Sequence, residues 1–444
     1  MGKPSIPKGT RDFLPKQMAR RNYIFNTAQI VFKKFGFQQI ETPAIENLST
    51  LTGKYGDEGD QLMFKILNRG DKFKKAVDHG EKESDFAELA LKYDQTVPLA
   101  RFVAQHQNEI VFPFKRFQIQ PVWRADRPGK GRYREFYQCD IDVVGTDSLI
   151  CEVEFIQVFY EVLTALKIPD FNIKINNRKV LAGIAEVIGE VDKIIDITVA
   201  IDKLDKIGIE KVNEELASRG LSQKAIDQLQ PLISFEGSKQ EAFSFLRTFL
   251  KSSETGMKGV EELAYIVDYC SELNIDKCLT LDLTLARGLN YYTGAIFEVS
   301  CKNFKGSICG GGRYDGLTDQ FGLKGIGCAG ISFGADRIYD VLEENNLFPQ
   351  DDMDGLDVLF VNFGLKEEHY VMTFVQQLRS KGLSVEVFPT AAKMKKQLSY
   401  ADYRNAKHVV MIGENEMNSG TIRVKNMLSG HQEDCLFDDF FQKL

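Results

Sequence analysis

The spacing of apolar residues near the start of the chain predicts a helix followed by strands. The positions that recur at roughly three- and four-residue intervals are Ile24, Ala28, Val31, Phe32 and Phe35. They predict an amphipathic helix over residues 17–35 that ends at Gly36. The segment FQQIETP is then typical of a short strand. Two longer extended runs, IVFPFKRFQIQPVWR and EFYQCDIDVVG, flank the Gly-, Pro- and Arg-rich segment ADRPGKGRYR, which indicates a long hairpin with a basic tip.

The pattern changes twice in the remainder of the chain. Helical spacing returns over residues 150–167, FNIKIN is strand-like, and residues 178–277 form successive helical segments. Extended character resumes at LTLDLTLARGLNYYTGAIFEVS and is followed by the glycine-rich loop KGSICGGGRYDGL. After a polar run, strands and helices alternate to the C-terminus, as in a βαβαβ unit.

These changes predict three domains. Residues 1–177 and 278–345 form the first, residues 178–277 a helical insertion, and residues 355–444 a C-terminal α/β domain.

Composition narrows the class of protein. The chain has 444 residues, 43% hydrophobic and 27% charged, with 56 basic against 63 acidic residues and a net charge of -7. Such a balance argues against a DNA-coating protein, so nucleic acid would be met by local basic patches. The eight cysteines include no CxxC pair, which does not resemble a zinc framework and predicts reduced thiols in a cytoplasmic protein. No apolar run predicts a membrane span.

The hairpin is the first candidate for chemistry. Its basic residues are Arg124, Arg127, Lys130, Arg132 and Arg134. They could hold a polyphosphate or an RNA backbone, or could be a solvated turn. Strand alternation places Phe136, Gln138, Asp140 and Asp142 on one face. A row of polar groups on one face suggests the floor of a pocket.

Three further segments carry unusual residues. CGGGRYDG lacks the ending of a P-loop, so it is either a structural turn or a close approach of backbone to a ligand or neighbour. Asp94 and Thr96 lie two residues apart on a predicted extended strand and would share a face, unless they only end that strand. In RGLNYYTG an inward-pointing Arg287 would need an anionic partner, either a structural acid or a substrate phosphate.

Taken in order, these pieces resemble the histidyl-tRNA synthetase family of class II aminoacyl-tRNA synthetases. PKGTRDFLP resembles the opening of the family, and the helix and strand that end at Pro43 resemble motif 1, the dimer element. WRADRPGKGRYREFYQCDIDVVG resembles motif 2, and GISFGADRI resembles motif 3. ARGLNYYTG and GGRYDGL resemble the two histidine-specific signatures, whereas YDQT and GKYGDEGDQLMF resemble the eukaryote-like variant of the family.

The resemblance implies a fold and an activity. The expected fold class is α/β (α+β): a class II antiparallel sheet with flanking helices, a helical insertion and a C-terminal anticodon-binding α/β domain. The expected enzyme activates L-histidine with ATP to histidyl-adenylate and transfers it to the 3′ end of histidine tRNA. A cytoplasmic homodimer is implied, with Mg²⁺ accompanying ATP and no protein ligand named for the metal.

The resemblance also assigns roles to individual residues. Arg124 and Arg287 would hold the α-phosphate from opposite sides, and Arg124 would also hold the histidine carboxylate; Arg337 would hold the γ-phosphate. Phe136 would stack on adenine, with Asp126 near the nucleotide. The implied histidine-binding residues are Asp94, Thr96, Gln138, Asp142, Tyr291, Tyr292 and Tyr314. Asn290 replaces an acid that is common in the family.

For tRNA, the hairpin tip with Arg127, Lys130 and Arg132 is expected to meet the acceptor end. Lys395 and Lys396 lie on a predicted helix with a basic stripe, which suits an RNA backbone or is an ordinary solvated face. Two rival functions stay open: a catalytically silent, histidine-sensing regulatory paralogue built on the same core, and, from another class, a pure tRNA-binding or regulatory module. The first would need neither Arg287 nor the terminal domain, and both are in this sequence.

Overall fold

A computed structural model describes residues 3–80, 82–201, 203–286, 291–302, 304–349 and 355–444. The chain forms two compact units. The larger unit consists of Met1–Asp12 and Arg21–Leu347, and the smaller unit consists of Phe13–Arg20 and Phe348–Leu444.

The larger unit is built on a wide sheet. Its strands are β1 (Gln38–Gln39), β2 (Ile45–Asn47), β3 (Lys65–Ile66), β4 (Leu89–Leu91), β5 (Phe114–Trp123), β6 (Glu135–Val144), β7 (Phe171–Asn177), β8 (Leu279–Leu281), β9 (Ala295–Cys301), β10 (Cys309–Arg313) and β11 (Cys328–Gly334). Eight of them form one mixed, mainly antiparallel sheet in the order β1-β5-β6-β11-β10-β9-β7-β8, and β2, β4 and β3 form a small second sheet.

Helices flank this sheet and fill the inserted segment. They are α1 (Pro15–Lys34), α2 (Leu48–Leu51), α3 (Gly56–Gln61), α4 (Asp71–His79), α5 (Glu83–Phe86), α6 (Thr96–Gln105), α7 (Ile150–Ala165), α8 (Arg178–Ile188), α9 (Ile194–Ile201), α10 (Leu204–Ser218), α11 (Gln223–Ile233), α12 (Lys239–Phe249), α13 (Glu254–Glu272) and α14 (Ala335–Glu344). The segment proposed as an insertion holds α8 to α13, and its described residues contain no strand. Its boundaries stay a prediction.

The two faces of the main sheet differ because side chains alternate along each strand. On one face Phe117 of β5 and Phe333 of β11 pack against Phe32 of α1, with ring centroids 5.8 and 5.6 Å apart. Phe159 of α7 lies 5.2 Å from Phe333 on the same face. Burial of these rings supplies the hydrophobic core. The opposite face is polar and carries the cavity described below.

The smaller unit is an α/β domain of strands and helices in alternation. It contains β12 (Val358–Phe360), α15 (Leu365–Ser380), β13 (Val385–Val387), α16 (Met394–Tyr403), β14 (His408–Met411), α17 (Glu414–Ser419), β15 (Ile422–Asn426), β16 (Gln432–Cys435) and α18 (Phe437–Lys443). The sheet order is β13-β12-β14-β15-β16. The sequence did not predict α17, β16 or α18.

The predicted fold class is confirmed, with a large sheet, flanking helices and a terminal α/β unit. The hairpin is also confirmed, because β5 and β6 pair from Phe114 with Val144 to Trp123 with Glu135. Two local predictions were wrong. Thr96 begins a helix and does not lie on a strand, and the CGGG run predicted as a loop forms β10. No described helix is long and apolar enough to cross a membrane.

Candidate active site

A cavity on the polar face of the main sheet gathers most of the residues implicated by sequence. The predicted residues that line it are Asp94, Thr96, Arg124, Asp126, Arg132, Phe136, Gln138, Asp142, Tyr291, Tyr292, Tyr314 and Arg337. Arg127 and Lys130 are exposed on the same hairpin tip but do not line the cavity. Lys395 and Lys396 belong to the smaller unit. Arg287 and Asn290 lie outside the described residues.

The floor of the cavity is made by β6 and β11. Register pairs Gln138 with Gly334, Asp140 with Ser332, and Asp142 with Gly330. The Gln138 amide donates from Nε2 to the Ser332 hydroxyl at 2.8 Å. The buried Oε1 of Gln138 and Oδ1 of Asp140 accept no hydrogen bond from the described residues. Both oxygens are therefore available to the donors of a ligand.

Glycine is needed at two places in this floor. A Cβ at Gly330 would lie 1.9 Å from Oδ1 of Asp142, and a Cβ at Gly311 would lie 2.2 Å from the carbonyl oxygen of Gly330. Both distances are far inside van der Waals contact. The run of glycines in β10 thus allows close approach to the neighbouring backbone, which is one of the two roles that the sequence left open.

One group of residues that line the cavity consists of acids and tyrosines. Asp94 accepts hydrogen bonds at Oδ1 from the backbone amides of Thr96 and Val97, both at 3.1 Å, and from the Tyr55 hydroxyl at 3.0 Å. The Tyr291 hydroxyl donates to Oδ2 at 3.4 Å. Burial raises the pKa of the Asp94 carboxyl, while the backbone amide of Val97 and the charge of Arg124 oppose that rise. Asp94 therefore anchors the start of α6 and faces the cavity at once.

Asp142 is a buried acid of the floor. Its Oδ1 accepts a hydrogen bond from the Tyr314 hydroxyl, and its Oδ2 lies 2.7 Å from Nη2 of the fully buried Arg116. Burial raises the pKa of Asp142, and Arg116 opposes the rise. Burial likewise raises the pKa of the neighbouring Asp140 to about 7.

The three tyrosines form an aromatic wall above these acids. The ring centroids of Tyr291 and Tyr292 lie 5.0 Å apart, and those of Tyr291 and Tyr314 lie 6.0 Å apart in an edge-on arrangement. Burial raises the pKa of Tyr291 and of Tyr314 well above the usual value. Both phenols therefore stay protonated and act as hydrogen-bond donors to the carboxylates.

A second group of residues that line the cavity is basic. Arg124 donates from Nε to the carbonyl oxygen of Tyr93 at 3.1 Å, and its guanidinium lies 4.3 Å from the Tyr93 ring and 5.3 Å from the Phe136 ring. These contacts fix the plane of the cation. Arg337, in the first turn of α14, donates to the carbonyl oxygens of Gly131 at 3.0 Å and Ser307 at 2.7 Å. A polyanion laid between them would meet two oriented guanidinium groups.

Several residues of the site were not predicted as such. The Tyr55 hydroxyl donates a hydrogen bond to Asp94, and Arg116 forms an ion pair with Asp142. The Asp336 carboxylate accepts hydrogen bonds from the guanidinium groups of Arg11 and Arg21. It also accepts one from the backbone amide of Tyr137 at 2.8 Å. Asp336 thereby ties the start of α14 to β6. The strand alternation that revealed the floor of β6 also applies to β5, so it could have found Arg116 once the hairpin register was known.

Metal ligands do not cluster in the part of the chain that the structure describes. No group of three or more His, Cys, Asp or Glu side chains there could hold a metal ion.

Comparison with known proteins decides the family. The family model for histidyl-tRNA synthetase matches residues 9–338, and that for the anticodon binding domain matches residues 357–444. The chain belongs to the histidyl-tRNA synthetase family. The first of these matches includes every residue that lines the cavity.

Relatives named histidine–tRNA ligase match over almost their whole length. The protein of Phocaeicola vulgatus is 58% identical over 97% of this chain and 96% of its own. That of Cytophaga hutchinsonii is 51% identical over 100% of both. Among solved structures, histidyl-tRNA synthetase from Nostoc sp. PCC 7120 superposes with a TM-score of 0.83 at 32% identity, covering 99% of each chain.

A solved structure of lower identity shares the fold. That of an ATP phosphoribosyltransferase regulatory subunit/histidyl-tRNA synthetase from Bacillus halodurans C superposes with a TM-score of 0.76 at 20% identity, covering 93% of this chain and 98% of its own. At that identity the likeness concerns the fold alone.

Proposed function

We propose that the cavity activates histidine, and that its basic and acidic ends divide the work between ATP and the amino acid. The chain is a histidine–tRNA ligase, and full-length relatives of that name at 50–58% identity carry this conclusion. ATP and L-histidine are its small substrates, and histidine tRNA is its acceptor. The pocket-lining residues assigned below are our proposal.

The basic end suits the first chemical step. The carboxylate of histidine attacks the α-phosphorus of ATP, the bond to the β-phosphate oxygen breaks, and pyrophosphate leaves. Negative charge on the phosphate oxygens is stabilised by positioned guanidinium groups. Arg124 takes the α-phosphate and the carboxylate, and Arg337 takes the γ-phosphate. Phe136, which packs beside Arg124, stacks on adenine, with Asp126 near the nucleotide. Arg287 takes the opposite side of the α-phosphate on the strength of the resemblance alone.

The acidic end suits recognition of histidine. Asp94, Thr96 and the unused Oε1 of Gln138 face the α-ammonium group, which donates hydrogen bonds and carries the matching charge. Asp142, Tyr292 and Tyr314 face the imidazole, with Tyr291 packed between the two groups. An apolar side chain in this pocket would leave a buried carboxylate without its partner, which strongly disfavours leucine or phenylalanine.

Transfer to tRNA completes the reaction. The 3′-terminal hydroxyl attacks the carbonyl carbon of histidyl-adenylate, and AMP leaves. Arg127, Lys130 and Arg132 lie on the hairpin tip, where Arg132 lines the cavity, and this tip meets the acceptor end. Lys395 and Lys396 are exposed at the start of α16 in the unit that matches the anticodon binding domain. They are suited to phosphate contacts.

The remaining elements of the proposal rest on the family. Mg²⁺ enters with ATP, since this ion prefers phosphate oxygens and water and needs few protein carboxylates. The enzyme acts in the cytoplasm as a homodimer formed through the helix and strand that resemble motif 1.

The two lysines of α16 offer a specific test of tRNA binding. Lys395→Ala/Lys396→Ala should raise the KM for tRNA about tenfold at physiological salt and should flatten its salt dependence by about two counterions, because each lysine neutralises one phosphate. Histidine-dependent ATP–pyrophosphate exchange should be unchanged. Lys366→Ala is the matched control, since this lysine lies in the same unit but pairs with Glu414 at 3.1 Å. An unchanged KM for tRNA in the double variant would contradict the role.

A single pair of assays tests the function as a whole. The purified chain should catalyse ATP–pyrophosphate exchange only when L-histidine is present, and it should charge histidine tRNA but no other tRNA. A histidine-sensing regulatory protein would bind histidine without exchange, and a tRNA-binding module would do neither reaction. Either result would reject the proposed enzyme.

A further inference from the structure

A buried cation lies beside the acid that we assign to the imidazole, on the neighbouring strand of the sheet. Arg116 of β5 is fully buried, and strand register places it opposite Asp142 of β6. Its Nη2 lies 2.7 Å from Oδ2 of Asp142. Its Nη1 donates to Oε1 of Gln118 at 3.3 Å. Arg116 does not line the cavity, whereas Asp142 does.

A series of hydrogen-bonded side chains next to Arg116 restricts the position of its guanidinium group. The Gln118 amide donates from Nε2 to the Thr42 hydroxyl at 2.9 Å and to Oε1 of Gln120. Lys92 donates from Nζ to the same Gln120 oxygen at 2.8 Å. These hydrogen-bonded polar groups, of which Gln118 and Lys92 are buried and Gln120 is partly buried, leave Arg116 few positions other than the one that meets Asp142.

An ion pair in this place needs an explanation beyond stability. Removing two charges from water is so unfavourable that an apolar pair of similar size is often at least as stable. A sheet floor made of apolar pairs would therefore fold well. The Asp142 carboxylate faces the cavity, and Tyr314 binds its other oxygen. The ion pair with Arg116 and the hydrogen bond from Tyr314 thus hold the carboxylate and favour its charged form.

We propose that Arg116 is a positioning residue that determines side-chain specificity, by holding Asp142 as a fixed, ionised acceptor for an N–H of the imidazole. The inference rests on the proposed assignment of Asp142 to the imidazole. An ionised carboxylate only accepts hydrogen bonds, so the pocket demands a donor from the side chain of the amino acid. Without Arg116 the buried acid would take up a proton or turn away, and the demand would be lost.

A double-mutant cycle with Arg116→Gln and Asp142→Asn tests this coupling. Calorimetry measures L-histidine binding, and pyrophosphate exchange gives KM for histidine and for ATP. Arg116→Gln should weaken histidine binding about a hundredfold, as expected for one partner of a buried charge pair, with the KM for ATP unchanged. Adding Arg116→Gln to Asp142→Asn should have no further effect. Arg116→Lys should restore part of the affinity.

The control is a second buried ion pair of the same chemistry. Arg313 lies 2.7 Å from Glu152, is equally enclosed, and does not line the cavity. Arg313→Gln should lower the melting temperature while leaving histidine affinity intact. Equal changes in both KM values for Arg116→Gln, or additive effects in the cycle, would overturn the proposal. Calorimetry tests the role of Arg116 separately from the proposed function. If the parent chain bound histidine in an Arg116-dependent way but catalysed no pyrophosphate exchange, the proposed function would be rejected and this inference would be retained.

Discussion

Replacing Arg124 with alanine is expected to lower histidine-dependent ATP–pyrophosphate exchange by about a thousandfold, because one preorganised donor at a developing oxyanion is worth that much. The guanidinium is fixed by the Tyr93 carbonyl and lies between the rings of Tyr93 and Phe136. Its orientation is therefore set before ATP binds. The loss should fall mainly on kcat, since the charge on the phosphate oxygens grows as the transition state forms.

Other variants in the same hairpin distinguish the proposed role of Arg124 at the α-phosphate from a general effect of positive charge on exchange. Arg127 is exposed and does not line the cavity, so Arg127→Ala should leave exchange intact. Arg124→Lys keeps the charge but loses the planar fork, and it should recover only a small part of the rate. Arg124→Ala should melt near the parent temperature. A variant that exchanges pyrophosphate at the parent rate would remove Arg124 from the mechanism.

The sequence predicted the floor of the site better than its walls. Strand alternation alone put Gln138, Asp140 and Asp142 on one face, and the structure lines the cavity with all three. The strand prediction failed at Thr96, which begins a helix with Pro98 in its first turn. Proline is tolerated in the first turn of a helix, where its missing N–H costs no helical hydrogen bond. The Asp-x-Thr-x-Pro pattern is equally typical of a helix start.

Partners across strands could not be read from one chain segment. Arg116 meets Asp142 only after the hairpin turn has fixed the register of β5 against β6. The prediction of a loop at the glycines of β10 was wrong for another reason. Glycine is depleted in strands, so local preference favours a loop. Here tertiary contact decides, because a Cβ at Gly311 would strike the backbone of β11.

The cavity is lined by groups of both charges. The guanidinium groups of Arg124 and Arg337, which we assign to the phosphates, and the carboxylates of Asp94 and Asp142, which we assign to the amino acid, all line it. A zwitterionic amino acid fits this field in one direction only, with its carboxylate toward the cations and its ammonium toward the acids. Under the proposed assignment, the protein thus imposes the orientation needed for attack on the α-phosphorus.

Replacing Asp94 with asparagine is expected to raise the KM for histidine about a hundredfold, because the α-ammonium group loses its buried counter-charge. The amide oxygen can still accept from the backbone N–H groups of Thr96 and Val97, which anchor α6. Burial raises the pKa of Asp94, so the folded protein disfavours its charge. Asparagine should therefore leave the free energy of unfolding unchanged or raise it.

Two comparisons make this test decisive. Asp94→Ala also removes the helix anchor and should lose about 1 kcal/mol of stability in addition to affinity. Asp126→Asn changes an acid at the nucleotide end of the same cavity and should alter the KM for ATP while sparing that for histidine. Steady-state exchange at varied histidine and ATP, with thermal unfolding, measures all three variants. If Asp94→Asn kept the parent KM for histidine, the ammonium would have to bind elsewhere, and the orientation of histidine in the cavity would have to be reversed.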